Sequence, residues 1–345
     1  MTRLSYLLLL GLTSGSLFPV IPEDTDVLFR SDVSLVRVDV QVRRPDDRAI
    51  ASLNADDFVV CEQGRPQQIR NFTSEDMPVD LLFLFDVSGS MQPHVKRIAS
   101  AAHQALHVLG DNDRVAIMVF DRTMRLRLPF RNSRQEIEGE LESMASQESF
   151  HGGTDITRAL VVAASYVEVQ ARSAARRAIV ILTDDQTDFG REDADVSYAL
   201  KKADAVLSAL LVPDEMANRT YSSGQRGSRL HPAGTLDGII LGTQSAGTSE
   251  IARQSGGDSL SIDDASALQT TLASIRQRYA LYFHLPADAK SGQERRIDVQ
   301  LAEPARRRYP DAELRFRKSY VSSSITCAPQ KLRPAYPTRC MAMGY

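Results

Sequence analysis

The run Val79-Asp80-Leu81-Leu82-Phe83-Leu84-Phe85, followed at once by Asp86-Val87-Ser88-Gly89-Ser90, constrains this chain more than any other stretch. An almost unbroken apolar run of strand length, closed by a polar loop, predicts a strand buried on both faces, as in the centre of a parallel sheet. The rhythm continues to residue 278. Val95, Ile98, Ala102, Ala105, Leu106 and Leu109 recur at helical spacing, and Arg114-Val115-Ala116-Ile117-Met118-Val119-Phe120 is the next strand. An edge strand over 125–130 follows, then a helix marked by Ile137, Leu141 and Met144. A second helix over 156–169 carries Ala159, Leu160, Ala163, Ala164 and Val167 on one face. Ala178-Ile179-Val180-Ile181-Leu182-Thr183 predicts another buried strand, 195–204 a helix and 205–212 a strand. A short helix at 249–254, a strand at Leu260 and a helix over 265–278 close the series. Strand–helix alternation of this kind predicts an α/β fold with a doubly wound, mostly parallel, Rossmann-like sheet. Ligands on such sheets bind beyond the carboxyl ends of the strands, at the topological switch point.

Outside 77–278 the pattern is β. Val33, Leu35, Val36, Val38, Val40 and Val42 come close to period two, a strand signature. Pro45-Asp46-Asp47 predicts a turn. Phe58-Val59-Val60-Cys61 and Gln68-Ile69-Arg70-Asn71-Phe72 predict two strands separated by a Gly64-Arg65-Pro66 turn. After the α/β region, 279–285, 295–301 and 313–316 read as strands. Each flank is too small to be comfortable alone. Residues 31–76 and 279–320 are therefore expected to pack together as one small β-sandwich, with 321–345 as a tail. Residues 213–247, rich in Ser, Gly, Arg and Thr, exceed the usual length of a connection. They are expected to form a loop at the ligand edge, either a contributor to partner selection or a plain insertion.

Charge and leader sequence bound the setting. A formal net charge of −3 gives no electrostatic case for nucleic acid as a partner. Arg295-Arg296, Arg306-Arg307-Arg308 and Arg315-Phe316-Arg317-Lys318 make the C-terminal region locally basic, read as solvated strand faces and turns, with an anionic-surface contact as the alternative. Arg3, the apolar residues 4–12 and Thr13-Ser14-Gly15-Ser16 predict an export signal within 1–22. That apolar run falls short of the ~20 residues a membrane span needs, and no later segment looks transmembrane. The expected location is secreted, periplasmic or cell-surface. An oxidising compartment would permit a disulfide between Cys327 and Cys340, leaving Cys61 as a lone thiol. No Cys-x-x-Cys pair points to zinc or redox chemistry.

The chemistry sits in the loop after residue 85. Asp86, Ser88 and Ser90 alternate, so one carboxylate and two hydroxyls face a single point, with Gly89 expected to let the backbone turn tightly between the serines. These are hard oxygen ligands, suited to Mg²⁺, Mn²⁺ or Ca²⁺ rather than Zn²⁺. Gly152-Gly153-Thr154-Asp155 precedes a helix, and Leu182-Thr183-Asp184-Asp185 ends a strand. In a parallel sheet these three loops can converge. The same serines, Thr154 and Asp155 would also serve as helix N-caps.

In order and spacing, Asp86-Val87-Ser88-Gly89-Ser90, Gly153-Thr154-Asp155 and Thr183-Asp184 resemble the metal-ion-dependent adhesion site of von Willebrand factor A domains. The resemblance covers about 79–278. It implies one divalent cation, most simply Mg²⁺, with Ser88, Ser90 and Thr154 as direct ligands and Asp86 and Asp184 acting mainly through water. The flanks resemble a bacterial secreted subgroup of the family, in Asp57-Phe58-Val59-Val60, Tyr279-Ala280-Leu281-Tyr282-Phe283 and Arg317-Lys318-Ser319-Tyr320. Ser319 stands where that subgroup has Gly. Asp185 stands where many A domains have Gly, a carboxylate expected to raise local negative charge or alter cation preference.

The implied mechanism is coordination, not bond breaking: a partner protein's Asp or Glu takes the cation's open position. Two other readings remain. The domain serves as a structural subunit of a cell-envelope complex, or a metal-dependent hydrolase uses His151, Asp185 or Asp188 as base. No Gly-x-Ser-x-Gly, His-Glu-x-x-His or Walker-type motif supports the hydrolase.

Overall fold

The computed structural model describes residues 34–74, 77–150, 152–212, 244–262 and 266–322. The expected export signal, His151, residues 213–243 of the long loop, and Cys327 and Cys340 lie outside them.

Chain order begins with four flanking strands, β1 (Leu35–Arg43), β2 (Phe58–Glu62), β3 (Arg65–Gln67) and β4 (Asn71–Thr73). The α/β region runs β5 (Val79–Asp86), α1 (Val95–Ala105), β6 (Arg114–Phe120), β7 (Met124–Arg131), α2 (Arg134–Gln147), α3 (Ile156–Gln170) and β8 (Arg176–Thr183). It continues with β9 (Gln186–Thr187), α4 (Asp193–Ala203), β10 (Ala205–Leu211), β11 (Gln244–Ser245), α5 (Thr248–Ser255), β12 (Ser259–Ser261) and α6 (Ala267–Arg276). The second flank is β13 (Tyr279–His284), β14 (Glu294–Leu301), α7 (Glu303–Arg308), β15 (Glu313–Arg315) and β16 (Ser319–Val321).

The central sheet is ordered β12-β10-β8-β5-β6-β7. Every neighbour is parallel except β7, an antiparallel edge strand. β5 is buried at each of its residues, and its two faces belong to different cores. Val79, Leu81, Phe83 and Phe85 pack with residues of α1, α2 and α6. Leu82 and Leu84 pack with residues of α3, α4 and α5. Burial on both faces is why the strand is apolar without alternation, and each large side chain so buried contributes about 1.5–3 kcal/mol. The chain leaves β5 toward β6 on one side and later returns to β8 on the other. The switch point therefore lies between β5 and β8.

The two flanks form antiparallel sheets ordered β15-β1-β13-β4 and β16-β14-β2-β3. Val36, Val38, Val40 and Val42 of β1 share one core with Phe58, Val60, Leu281, Phe283, Ile297 and Val299. The opposite face of β1 is Arg37, Asp39, Gln41 and Arg43, and it is buried too. It meets the amino-terminal edge of the parallel sheet. Arg37 Nη1 donates to the Ala175 carbonyl at 2.7 Å, Arg176 Nε to Asp39 at 3.3 Å, and Gln41 Nε2 to Ser274 Oγ at 2.9 Å.

Three local expectations are corrected. The hairpin between β2 and β3 turns at Gln63-Gly64, both with positive φ, while Arg65 and Pro66 belong to β3, which pairs with β2. A two-residue hairpin of type I′ has positive φ at both central positions, and Pro66 is tolerated because β3 is a sheet edge. The C-terminal arginines are not simply solvated. Arg295 is buried against Glu62, Arg315 bonds Asp258, Arg317 lies 2.6 Å from Asp204, and Arg308 bonds Asp57. Arg306-Arg307-Arg308, read as a solvated strand face or turn, lie in α7, with Pro304 in its first turn and the arginines in its last, the arrangement that suits a helix's ends.

Arg176 ties the two parts together. Besides Asp39, it donates to the carbonyls of Ile275 (3.0 Å), Arg276 (2.8 Å) and Arg278 (2.8 Å). Replacing it with Met leaves buried Asp39 with Arg37 alone and strands three carbonyls, and Arg176→Met is predicted to cost about 3–5 kcal/mol in urea unfolding. A loss below about 1 kcal/mol, the usual worth of a surface pair, would contradict this.

Candidate metal centre

β5 ends on Asp86, whose carboxylate is buried. Its Oδ1 accepts from the Ser88 amide at 2.9 Å, folding the chain back in an Asx turn. Its Oδ2 accepts from the Thr183 hydroxyl at 2.6 Å. That second bond follows from strand register: Phe85 lies opposite Leu182, so the next residues, Asp86 and Thr183, meet at the carboxyl ends of β5 and β8. Thr183 was not singled out in the sequence as a site residue, because a β-branched residue closing a strand looks like filler until the register is known. Its hydroxyl also accepts from the Asp185 amide at 3.1 Å.

Ser88 and Ser90 stand with their hydroxyl oxygens 3.2 Å apart, and Ser90 is near enough to Asp184 to favour its ionised form. The serines do not cap. Ser88 precedes the short 3-10 turn Gly89–Met91 without a side-chain capping bond, and the N-cap of α1 is His94. Gly89 is not needed for a tight turn either, since its φ is ordinary and a Cβ there would meet nothing within 4 Å.

Thr154 is buried on the loop before α3. Its carbonyl accepts from the Asp188 amide (2.9 Å) and the Thr187 hydroxyl (3.0 Å), which joins this loop to the one after β8. The Asp155 amide donates to the Asp121 carbonyl beyond β6 at 3.2 Å. Capping of α3 falls to Asp155, which accepts from the Arg158 amide at 3.0 Å, so Thr154 is not used as a cap. A Cβ at 153 would fall on the Asp188 carboxylate, so a larger residue there would push that side chain aside. Asp188 in turn pairs with Arg122 at 2.9 Å. The structure thus brings Asp86, Ser88, Ser90 and Asp184 to one edge of the sheet, Asp86 bound to the Ser88 amide and Ser88 to Ser90, and places Thr154 on the adjoining loop.

Electrostatics at this edge favour a cation. Burial, and then the neighbouring Asp184 charge, push the Asp86 carboxyl up to about 7, against the hydrogen bonds from Thr183 and Ser88. Burial likewise raises Asp184. Among the described residues no basic side chain pairs with either carboxylate. Two buried carboxylates with only hydroxyl and amide donors suit a hard divalent ion, which would offset their charge. No three His, Cys, Asp or Glu side chains converge among the described residues, and the groups that meet at this edge are carboxylate and hydroxyl oxygens.

Asp185 does something else. It sits in the left-handed region at φ 63°, and its carboxylate accepts from Ser245 Oγ (2.6 Å) and from the Thr248 amide (3.0 Å) at the start of α5. Its charge raises the Asp184 carboxyl only as the last of several contributions. The extra carboxylate fastens β11 and α5 to the loop after β8, in the company of the β9–β11 pairing. Neither Asp185 nor Asp188 stands free as a base, and His151 lies outside the described residues.

Residues 81–186 match the von Willebrand factor type A domain family. No curated protein matches the chain. Among solved structures, it is similar to an aerotolerance-related membrane protein from Bacteroides fragilis NCTC 9343, at 20% identity and TM-score 0.42 over 57% of this chain and 98% of that one. It is similar to the conserved hypothetical protein BatB from Bacteroides thetaiotaomicron, at 19% identity and TM-score 0.41 over 57% and 96%. Proximal thread matrix protein 1 from the mussel byssus, solved with zinc in its MIDAS motif, gives 15% identity and TM-score 0.43 over 63% and 50%.

Thr183→Val keeps the volume and removes the hydroxyl between Asp86 and Asp185. It is predicted to lower divalent-cation affinity about 10–100-fold, the usual effect of losing a supporting hydrogen bond behind a ligand, with Thr183→Ser restoring it. Isothermal titration with Mg²⁺ measures this, and unchanged affinity in Thr183→Val would remove Thr183 from the site. Asp185→Asn is predicted to leave cation affinity as in the parent.

Proposed function

We propose that this chain, which carries a von Willebrand factor type A domain, is an exported protein-binding module whose partner presents an Asp or Glu side chain. In this reading Asp86, Ser88, Ser90, Thr154 and Asp184 hold one divalent cation, Mg²⁺ in the first place and Mn²⁺ or Ca²⁺ as alternatives. When bound, the cation supplies a hard electrophilic centre for an anionic oxygen. The observation that carries the reading is the buried Asp86–Asp184 pair at the switch point, surrounded by hydroxyls and without a basic partner among the described residues.

Each residue has a definable task. Ser88, Ser90 and Thr154 offer uncharged oxygens, so a direct shell made of them leaves positive charge available to a partner's carboxylate. Asp86 is fixed by the Ser88 amide and the Thr183 hydroxyl. Asp184 is oriented by the Gln186 amide, and Ser90 favours its ionised form. Binding depends on rigid presentation of these oxygens, and the buried strands beneath them supply it. Export rests on the leader-like residues 4–12. No helix among the described residues is long and apolar enough to cross a membrane.

Capture from the native extracellular fraction, run in Mg²⁺ and in EDTA, tests the proposal. The partner is expected only with Mg²⁺, and Asp86→Ala is expected to abolish capture while circular dichroism and cooperative unfolding persist. A partner retained equally in EDTA would refute a metal-dependent mechanism.

A further inference from the structure

The amino-terminal edge of the parallel sheet, opposite the metal centre, gathers charge of its own. Six guanidiniums meet there: Arg37, Arg43, Arg176, Arg278, Arg315 and Arg317. Asp39 lies 3.5 Å from Arg37 and 3.3 Å from Arg176. Asp258 takes Arg43 at 2.6 Å and also Arg315, while Asp204 takes Arg37 and Arg317, each at 2.6 Å. At the exposed rim Asp47 lies 3.3 Å from Arg43, and Glu313 lies 2.9 Å from Arg315. Of these six guanidiniums, Arg278 alone has no carboxylate within ion-pair reach among the described residues.

Arg278 is 1% exposed. Its Nε, Nη1 and Nη2 are all buried without a hydrogen-bond partner, and the Nε of neighbouring Arg43 is in the same condition. A guanidinium carries five N–H donors, and leaving them buried and unmade is among the costliest arrangements in a protein interior. The nearby carboxylates are already used. Asp258 Oδ2 accepts from Arg43 and Ser274 and its Oδ1 from Arg315, while Asp39 serves Arg176 and Arg37. Arg176 has a substitute for a full counter-charge in the carbonyls of the last turn of α6, where the helix dipole is negative. Among the described residues Arg278 has none. Burial pushes its pKa down to about 10, with Asp258 and Asp39 opposing and Arg176 and Arg43 adding to the fall, so it stays protonated at neutral pH.

We propose that the junction between the flanking sheets and the α/β sheet binds one small monovalent anion of the chloride class, held by the donors of Arg278 with Arg43 beside it. A single buried guanidinium without a carboxylate of its own among the described residues calls for a single negative charge. Water would satisfy the donors but not the charge.

Thermal unfolding in EDTA, so that the metal centre is silent, tests this. At constant ionic strength the midpoint is expected to fall when chloride is replaced by gluconate, a much larger and more strongly hydrated anion. The apparent unfolding constant should fall about tenfold for each tenfold excess of chloride over its dissociation constant. Arg278→Met, which removes the charge and fills the space, should abolish the chloride dependence. Wild-type crystals grown in bromide should show an anomalous peak within hydrogen-bond distance of Arg278, a readout that stands even if the variant does not fold. Equal wild-type midpoints in chloride and gluconate, persistent chloride dependence in Arg278→Met, or no bromide peak at Arg278 would each overturn the proposal.

Discussion

Asp86 ends a strand that is buried along its whole length, so its carboxylate arrives at the sheet edge with little water to solvate it. The surrounding groups that meet it are the Ser88 amide, which bends the following loop back, and the Thr183 hydroxyl at 2.6 Å. Thr183 is in reach only because β5 and β8 are parallel neighbours in a fixed register. Slipping that register by one residue would turn every side chain of β8 to the opposite face. The core on both faces of the sheet therefore enforces the position of one hydroxyl, and through it the geometry of the three loops. The hydrogen bonds of Thr154 to Thr187 and Asp188 extend the same framework to the third loop.

The flanking strands matter at the other end of the sheet. β1 is a two-sided element, with its valines in the flank's apolar core and its Arg37, Asp39, Gln41 and Arg43 in a polar junction against β8 and α6. Apolar burial there supplies most of the attraction. The polar side fixes orientation, because buried ion pairs tolerate few alternative arrangements, a role they have in some other proteins. Docking the flanks on the amino-terminal edge leaves the carboxyl-terminal edge, with its carboxylates and hydroxyls, uncovered by them.

Much of this was legible in the sequence, and the exceptions share a cause. β5 and β8 are plain because a strand covered on both faces has to be apolar throughout. Asp86, Ser88 and Ser90 are plain because their spacing is local. Thr183 is invisible without strand register, and Asp185 looks like part of the metal loop until its bonds to Ser245 and Thr248 are seen. Period-two alternation in β1 is the same whether its polar face meets water or a second layer of protein, so its burial could not be read. The C-terminal arginines misled for a similar reason, since composition reports charge and not the carboxylates of Glu62, Asp57, Asp204 and Asp258 that distant segments bring to them. Pro304 beside a run of arginines conceals α7, although a proline in the first turn is a normal helix start.

The central claim is that carboxylates and hydroxyls from three loops form one cation site. The most direct measurement is an anomalous difference map from crystals grown with Mn²⁺. The account predicts a single manganese peak within coordination distance of the Ser88, Ser90 and Thr154 hydroxyls, with Asp86 and Asp184 behind it. A fully folded protein with no peak there, or with its manganese held elsewhere, would contradict it.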